Sequence, residues 1–136
     1  MQGVKIVLAK LEAGEMVAPL PEAIDTVPGI QNLFRPSVQP YLSRWFQYDP
    51  AGVVGRLELP VLLVQGTHDL QVRVEDAYLL AEANPNAQLE LLSGVNHILK
   101  DAPTDPQANL ATYSDPDLPL AAELLSTVVG FLKGLP

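Results

Sequence analysis

An unbroken apolar run, Val61 to Val64, lies between Pro60 and Gly66 and constrains the fold more than any other stretch of the sequence. The run is too short for a helix, and the proline and glycine that bound it are typical of strand ends. Its apolar residues do not alternate with polar ones, which indicates a strand buried on both faces, as in a parallel sheet. In such sheets ligands bind beyond the carboxyl ends of the strands, and Asp69 follows at that point.

A helix and a second strand are predicted after the first strand. The first strand is expected at about residues 60–66 and the second at about 87–92, with a helix rich in alanine and leucine at 74–84 between them. The order strand, helix, strand predicts a parallel βαβ unit. Because His97 follows the second strand, we expect Asp69 and His97 to lie at the same edge of this sheet.

Further helices are predicted on both sides of the βαβ unit from the spacing of apolar residues. Their expected ranges are residues 4–16, 30–34, 38–48, 50–57 and 118–132. Proline and polar residues predict loops at 18–29 and 103–119. We therefore expect a single α/β domain of residues 1–136, with connecting helices at 1–58 and the βαβ unit plus a C-terminal helix at 59–136.

One of these helices, which Ser37 could cap and which would extend through Tyr48, has an aromatic face. Its apolar residues recur at helical spacing: Val38, Tyr41, Leu42, Trp45 and Phe46. This pattern favours packing against the sheet, because aromatic residues at helical spacing dominate protein cores. The alternative is a wall of a substrate pocket, for which Tyr41 and Trp45 are the candidates, and one helix can serve both purposes.

The composition excludes several classes of partner. The net charge of −8 argues against nucleic acids and anionic membrane surfaces, because both are bound by clustered lysine and arginine. No apolar run is long enough to span a bilayer, and residues 1–10 lack the apolar region and cleavage site of a signal peptide. We therefore expect a soluble protein without a membrane span. The absence of cysteine excludes disulfides, thiolate metal ligands and a cysteine nucleophile from this sequence.

Asp69 and His97 can form an acid–base pair in which the carboxylate accepts the imidazole N–H and stabilises the imidazolium. Asp69 could instead be a turn residue or cap the helix from Val74, and His97 could be an ordinary loop or core histidine. His68 is the rival imidazole, but we expect it to point elsewhere because it adjoins Asp69. A metal site formed by His68, Asp69 and His97 lacks the ligand spacing of known sites, so neither a metal nor another cofactor is expected.

The stretches around these two residues resemble a known family. Three of them lie in the βαβ unit: Pro60-Val-Leu-Leu-Val-Gln-Gly-Thr-His-Asp69, Val74-Glu-Asp-Ala77 and Leu91-Leu-Ser-Gly-Val-Asn-His97. They resemble the C-terminal part of α/β-hydrolases, in which a nucleophile, an acid and a histidine follow in that order along the chain. The resemblance implies that Asp69 is the acid and His97 the histidine.

Two earlier stretches extend the resemblance to most of residues 33–100. These are Leu33-Phe-Arg-Pro-Ser-Val-Gln-Pro-Tyr41 and Trp45-Phe-Gln-Tyr-Asp-Pro50, which are similar to a bacterial branch of lysophospholipase- or esterase-like serine hydrolases. The resemblance implies a small ester or similar acyl substrate. It also implies that residues 1–58 are cap-like and connecting helices.

The serine nucleophile of that family has no counterpart in this sequence. The family serine lies in a Gly-x-Ser-x-Gly motif before the acid strand. No serine here has both flanking glycines: Ser37, Ser43, Ser93, Ser114 and Ser126. No glycine-rich oxyanion loop is present either. We therefore expect a partial α/β-hydrolase fold that lacks the N-terminal strands and the nucleophile, and a chain that is inactive alone, whether as a truncated product or a fragment.

The small predicted sheet suggests a function of a different class. Two parallel strands are too few for an independent sheet, and the run Val61–Val64 would then lie at an open apolar edge. This predicts a non-catalytic binding or assembly module. It would form a homo-oligomer by pairing the sheet edges of two copies or by exchanging the first helices. A separate chain that carries the nucleophile is the other partner considered.

Overall fold

The computed structural model describes residues 2–27 and 29–136, so Met1 and Pro28, a member of the predicted loop 18–29, lie outside the described residues. The elements in chain order are helices α1 (Gln2–Glu12), α2 (Glu22–Asp25), α3 (Ile30–Leu33), α4 (Gln39–Trp45) and α5 (Pro50–Val54), strand β1 (Leu62–Gly66), helix α6 (Val74–Ala83), strand β2 (Gln88–Leu92), helix α7 (Pro106–Ala111), a 3-10 helix (Thr112–Ser114) and helix α8 (Ala122–Lys133). Within the described ranges, no helix has the length and apolar character needed to cross a membrane.

The chain divides into two compact units, one ending at Asp49 and the other beginning at Pro50. The predicted single domain, with a subdivision after residue 58, stays a prediction. Each unit contains its own buried cluster of apolar residues.

The first unit is held together by short helices that pack around α1. Val7 and Leu11 of this helix are fully buried. They form one cluster with apolar residues of the following segments: Val17, Ile24, Phe34 and Leu42. The buried side chain of Gln39 accepts a hydrogen bond from the Val17 N–H at 2.7 Å and donates to the Val17 carbonyl at 2.8 Å. α1 ends near the predicted position, where Gly14 adopts a φ of 82° that favours glycine.

The start and end of α4 differ from the prediction. The helix begins at Gln39, and Ser37 does not cap it. The Ser37 hydroxyl instead accepts a hydrogen bond from Nε of Arg35 at 3.1 Å. A turn precedes the helix, because the Val38 N–H donates to the Arg35 carbonyl. α4 then ends at Trp45, three residues earlier than expected.

The buried face of α4 is not the predicted aromatic face. Gln39, Leu42 and Ser43 are its buried residues. Tyr41 and Trp45 are 63% and 61% exposed and do not belong to the buried cluster of this unit, and their predicted packing against the sheet stays a prediction. Gln39 hydrogen-bonds backbone groups inside the unit, which turns the face it shares with Leu42 and Ser43 inward.

β1 and β2 form a two-stranded parallel sheet, as the order strand, helix, strand predicts. Leu62 pairs with Gln88, and Gly66 pairs with Leu92. α6 connects the strands and packs on both, and α8 contacts β2. The run Val61–Val64 is only partly buried, so the prediction of a strand covered on both faces is wrong. The reason is that the faces of a parallel sheet are covered by helices, and among the described residues α6 is the helix that packs closely on β1.

Residues 103–119, predicted as one long loop, contain α7 and the 3-10 helix. Asp105 caps the start of α7, because its Oδ1 accepts the Ala108 N–H at 2.9 Å. Pro106 follows in the first turn, where its missing N–H costs nothing. A loop was predicted because polar residues and prolines dominate this stretch, and they conceal the helix start at Asp105 and Pro106.

α8 was predicted at residues 118–132 and begins later, at Ala122. Just before it, the Ala121 N–H donates to the Leu99 carbonyl at 2.8 Å, which ties this segment to the loop after β2. The buried cluster beneath consists of three apolar residues: Leu92, Val95 and Ala121. No residue of α8 itself is fully buried, and Leu125 is 70% exposed.

Candidate active site

The carboxyl ends of β1 and β2 bring Asp69 and His97 together. Nδ1 of His97 lies 2.9 Å from Oδ2 of Asp69. Because an ionised carboxylate can only accept, the imidazole donates from Nδ1, and in the neutral ring Nε2 then carries the free lone pair. The two residues that were expected to meet at this edge of the sheet do meet, and their catalytic role stays a prediction.

Hydrogen bonds between the two loops continue the pairing beyond the strands. The Thr67 N–H donates to the Leu92 carbonyl at 3.0 Å, and the His68 N–H donates to the Val95 carbonyl at 2.9 Å. Oγ1 of Thr67 accepts the Gly94 N–H at 2.9 Å. The loops that carry the acid and the histidine are therefore joined through their backbones.

Gly66 permits this close approach of the loops. A Cβ at this position would lie 2.1 Å from the carbonyl oxygen of Val95 and 3.2 Å from that of Asn96. The first distance is far shorter than any real carbon–oxygen contact, so a side chain here would force the backbones apart. Position 66 therefore requires glycine for the close approach of the two loops, as well as for ending the strand.

Four donors surround the Asp69 carboxylate, whose side chain is only 6% exposed. Oδ1 accepts from the backbone N–H groups of Gln71 at 2.7 Å and Val72 at 2.9 Å. Oδ2 accepts from His97 and from Nε2 of Gln65, which lies 3.2 Å away. Burial raises the pKa of Asp69, but the hydrogen bonds from Val72, Gln71, His97 and Gln65 outweigh it, so the pKa lies below its ordinary value.

Asp69 therefore combines two of its sequence-based interpretations. Its bonds to the N–H groups of Gln71 and Val72 form a turn, and its bond to His97 forms an acid–histidine pair. It does not cap the following helix, because Arg73 is the N-cap residue of α6.

His97 is positioned to exchange a proton at its free nitrogen. Its side chain is 39% exposed, and a small cavity of about 170 Å³ lies beside it. Nε2 hydrogen-bonds no group of the described residues, the serine hydroxyls included. The imidazole can therefore accept a proton at Nε2 while the Asp69 carboxylate stabilises the resulting positive charge.

His68 does not join the pair. Its Nδ1 lies 2.6 Å from the carbonyl oxygen of Ala102, so the ring is held by a backbone contact. In residues 2–27 and 29–136, no three carboxylate or imidazole side chains are arranged to hold a metal ion.

Two fully buried asparagines, which no sequence pattern marked, support the loops of the pair. Asn96 precedes His97, and its Oδ1 accepts from the N–H groups of Ile98 at 3.2 Å and Lys100 at 3.1 Å. Asn109 of α7 hydrogen-bonds Asn96 at 3.3 Å. The Asp-Pro start of α7 is the sequence signal that could have placed Asn109 on a helix.

Leu99 separates the small cavity from a wide apolar groove. Its φ of 62° is uncommon for a residue other than glycine. The groove has a volume of about 750 Å³, and Leu99 lines both spaces. The other walls come mainly from the start of α8 and the residues before it: Pro119, Leu120, Leu124, Leu125 and Val128.

Tyr41 and Trp45, the predicted pocket residues, belong to the first unit and pack on each other. Their ring centroids are 5.7 Å apart at an interplanar angle of 34°. They do not line the groove of about 550 Å³ on that unit, which Met16, Arg44 and Tyr48 help to form. Their role as a substrate wall stays a prediction.

Comparisons with protein-family models, curated proteins and solved structures find no match for this chain. The resemblance to α/β-hydrolases therefore depends on the residues quoted above. What the structure shows is broader: a mixed α/β architecture with one parallel strand pair.

Proposed function

We propose that this chain supplies the acid and the histidine of a Ser-Asp-His triad that hydrolyses an ester or a similar acyl substrate. The observation that carries the proposal is the 2.9 Å hydrogen bond from His97 Nδ1 to Asp69 Oδ2, at the ends of two adjacent parallel strands. A nearly buried anion at this place orients the imidazole and stabilises its protonated form.

In the proposed reaction, the nucleophilic serine comes from outside the present sequence. Its oxygen attacks the acyl carbonyl while its proton passes to Nε2 of His97. The imidazolium then gives this proton to the departing alcohol, which leaves an acyl-enzyme. Water repeats the cycle and releases the acid, and Asp69 holds the Nδ1 proton throughout without taking it.

The apolar groove beside Leu99 supports an apolar acyl group as part of the substrate. The groove begins two residues after His97, and its walls carry almost no polar groups. Apolar grooves with few polar groups at one end are typical of sites for such ligands.

The chain alone is expected not to catalyse the reaction, because it has a base but no nucleophile for that base to deprotonate. With an activated short-chain aryl ester, it should release the alcohol no faster than the same concentration of free imidazole. Saturable turnover above that level, lost in His97→Ala, would contradict the assignment of the chain as inactive alone.

A chain extended upstream in its own reading frame tests the triad itself. We expect the added segment to contain a Gly-x-Ser-x-Gly motif, and the extended chain to hydrolyse the ester. Turnover should be lost in Asp69→Ala and in His97→Ala. His68→Gln is the matched control, because the His68 ring contacts the Ala102 carbonyl rather than the pair. An upstream sequence without such a serine, or full activity in His97→Ala, would contradict the proposal.

The unpaired strand edges favour a second candidate function, a self-associating module. Among the described residues, β1 and β2 each have one neighbour, so each presents an edge that can pair with another strand. Exposed leucines lie on α8 and just before it: Leu120 is 58%, Leu125 is 70% and Leu132 is 57% exposed. A second copy that covered these surfaces would remove apolar area from water.

Light scattering at micromolar concentration tests this second function. We expect a dimer or larger assembly that Leu125→Glu shifts toward the monomer, because the substitution places a charge in the apolar groove. Leu110→Glu is the control, since Leu110 is comparably exposed at 53% but lies outside the groove. A native chain that stays monomeric would contradict self-association.

A further inference from the structure

Asn109 connects the two loops that carry Asp69 and His97. Its side chain on α7 is fully buried. Its Nδ2 donates to the backbone carbonyl of His68, the residue before Asp69, at 2.9 Å. The Oδ1 of Asn109 accepts from Nδ2 of Asn96, the residue before His97, at 3.3 Å. One amide is thus bonded to the chain neighbour of each member of the pair.

The hydrogen bonds of Asn109 leave its amide little freedom to move. The second Nδ2 hydrogen goes to the Pro103 carbonyl, which lies 3.2 Å away. The backbone carbonyl of Asn109 accepts from the Thr112 hydroxyl at 2.7 Å. The oxygen of that hydroxyl in turn accepts from Nδ2 of Asn96 at 2.7 Å. Because the Asn109 side chain is fully buried, a rotation of its amide would leave its own Nδ2 and Oδ1 atoms without partners.

Asn96 connects this network to the backbone of the histidine. Its Oδ1 accepts from the N–H groups of Ile98 and Lys100, so its side chain shapes the turn that contains His97. Asn96 is also fully buried. A displacement of Asn96 would therefore displace His97.

We propose that Asn109 is a positioning residue for the Asp69–His97 pair. It sets the separation of the two loops so that His97 Nδ1 stays within hydrogen-bond distance of Asp69 Oδ2. The catalytic meaning of this role rests on the proposed function, whereas the role itself concerns the geometry of the pair. A residue that only stabilised α7 would affect the stability of the chain and leave the pair intact.

The tautomer of His97 reports on the pair without any need for turnover. At about pH 8, where a free imidazole is neutral, we expect the native chain to carry the ring proton on Nδ1, because Asp69 accepts it there. Asp69→Ala removes the acceptor and defines the reference state. In this state the population of the Nε2–H tautomer increases, as in free histidine. The ¹⁵N chemical shifts of the two ring nitrogens measure the proportion of each tautomer.

In Asn109→Ala, the proportion of the Nδ1–H tautomer of His97 should fall at least half of the way from its native value to its value in Asp69→Ala. Combined with Asp69→Ala, the Asn109→Ala substitution should add nothing further. Asn84→Ala is the matched control, because Asn84 is a buried asparagine whose amide donates to the carbonyls of Val54 and Leu57, away from the pair. This control should lose stability and keep the native tautomer.

A folded Asn109→Ala chain with the native tautomer would overturn the proposal, and so would equal shifts in Asn109→Ala and Asn84→Ala. If Asn109→Ala does not fold, Thr112→Val removes one acceptor of Asn96 and gives the decisive reading: a shift of the tautomer supports the role, and no shift overturns it. A native His97 without a proton on Nδ1 would overturn the pair itself. That result differs from an inactive extended chain with an intact pair, which would contradict the proposed function alone.

Discussion

At the scale of single residues, the polar contacts of Asp69 decide what its carboxylate can do. Two backbone N–H groups and two side chains donate to it, and these bonds outweigh the effect of burial on its pKa. The sequence predicted that Asp69 and His97 meet, because each follows a recognisable strand. It could not predict Gln65, whose position within β1 carries no mark of its contact with Asp69.

The lowered pKa of Asp69 makes the stability of the chain depend on pH. A carboxyl whose pKa is lower in the folded than in the unfolded chain stabilises the fold above the unfolded pKa and loses that contribution as the pH falls through the folded pKa. We therefore expect the free energy of unfolding to fall more steeply below about pH 4 in the native chain than in Asp69→Asn. Urea denaturation across the acid range measures both slopes.

Glu58→Gln is the control for this acid dependence, because Glu58 is exposed and should leave the slope of the native chain unchanged. Equal slopes in the native chain and in Asp69→Asn would show that the Asp69 carboxylate does not contribute, contrary to the contacts described.

At the scale of elements, the βαβ unit and the presence of helix α4 were predictable, whereas the inward face of α4 and the helix α7 were not. β1, α6 and β2 have apolar runs and helix-forming stretches bounded by proline or glycine, which act locally. The inward face of α4 depends instead on hydrogen bonds from Gln39 to distant backbone groups. α7 depends on a cap at Asp105 that a polar, proline-rich composition concealed.

The close approach at the end of β1 predicts a strong effect of Gly66→Ala. Because the added Cβ would overlap the Val95 carbonyl, we expect a loss of about 2–4 kcal/mol in the free energy of unfolding. The loops of Asp69 and His97 should also separate, so that the His97 proton leaves Nδ1. Urea denaturation and ¹⁵N shifts measure these two effects.

Gly130→Ala provides the comparison, since a Cβ at this exposed position of α8 would meet no atom within 4 Å. Alanine is the better helix former there, so we expect a gain of up to about 1 kcal/mol. A Gly66→Ala chain as stable as Gly130→Ala would refute the steric argument.

At the scale of the whole molecule, the second unit has less buried apolar surface than its sequence suggests. The run Val61–Val64 is only partly covered, and no residue of α8 is fully buried. The sequence predicted the mixed α/β class and the parallel pair, because both follow from the order of elements. The extent of burial could not be predicted, since it depends on how many strands and helices surround the sheet rather than on the composition of each one.

The two candidate functions make opposite use of the apolar groove beside Leu99. In the hydrolase proposal the groove holds an acyl group, whereas in the association proposal another copy covers it. An ester that competes with self-association would show that both use the same surface, and light scattering with and without a non-hydrolysable acyl ligand measures this competition.

The most direct test of the central claim is a double-mutant cycle on kcat/KM of the upstream-extended chain with an activated aryl ester. If Asp69 and His97 act as a unit, each alanine substitution should lower kcat/KM by a factor of about 10³ or more, and the double substitution should cost little beyond the larger single loss. Losses that multiply independently, or an extended chain that stays fully active without either residue, would contradict the account.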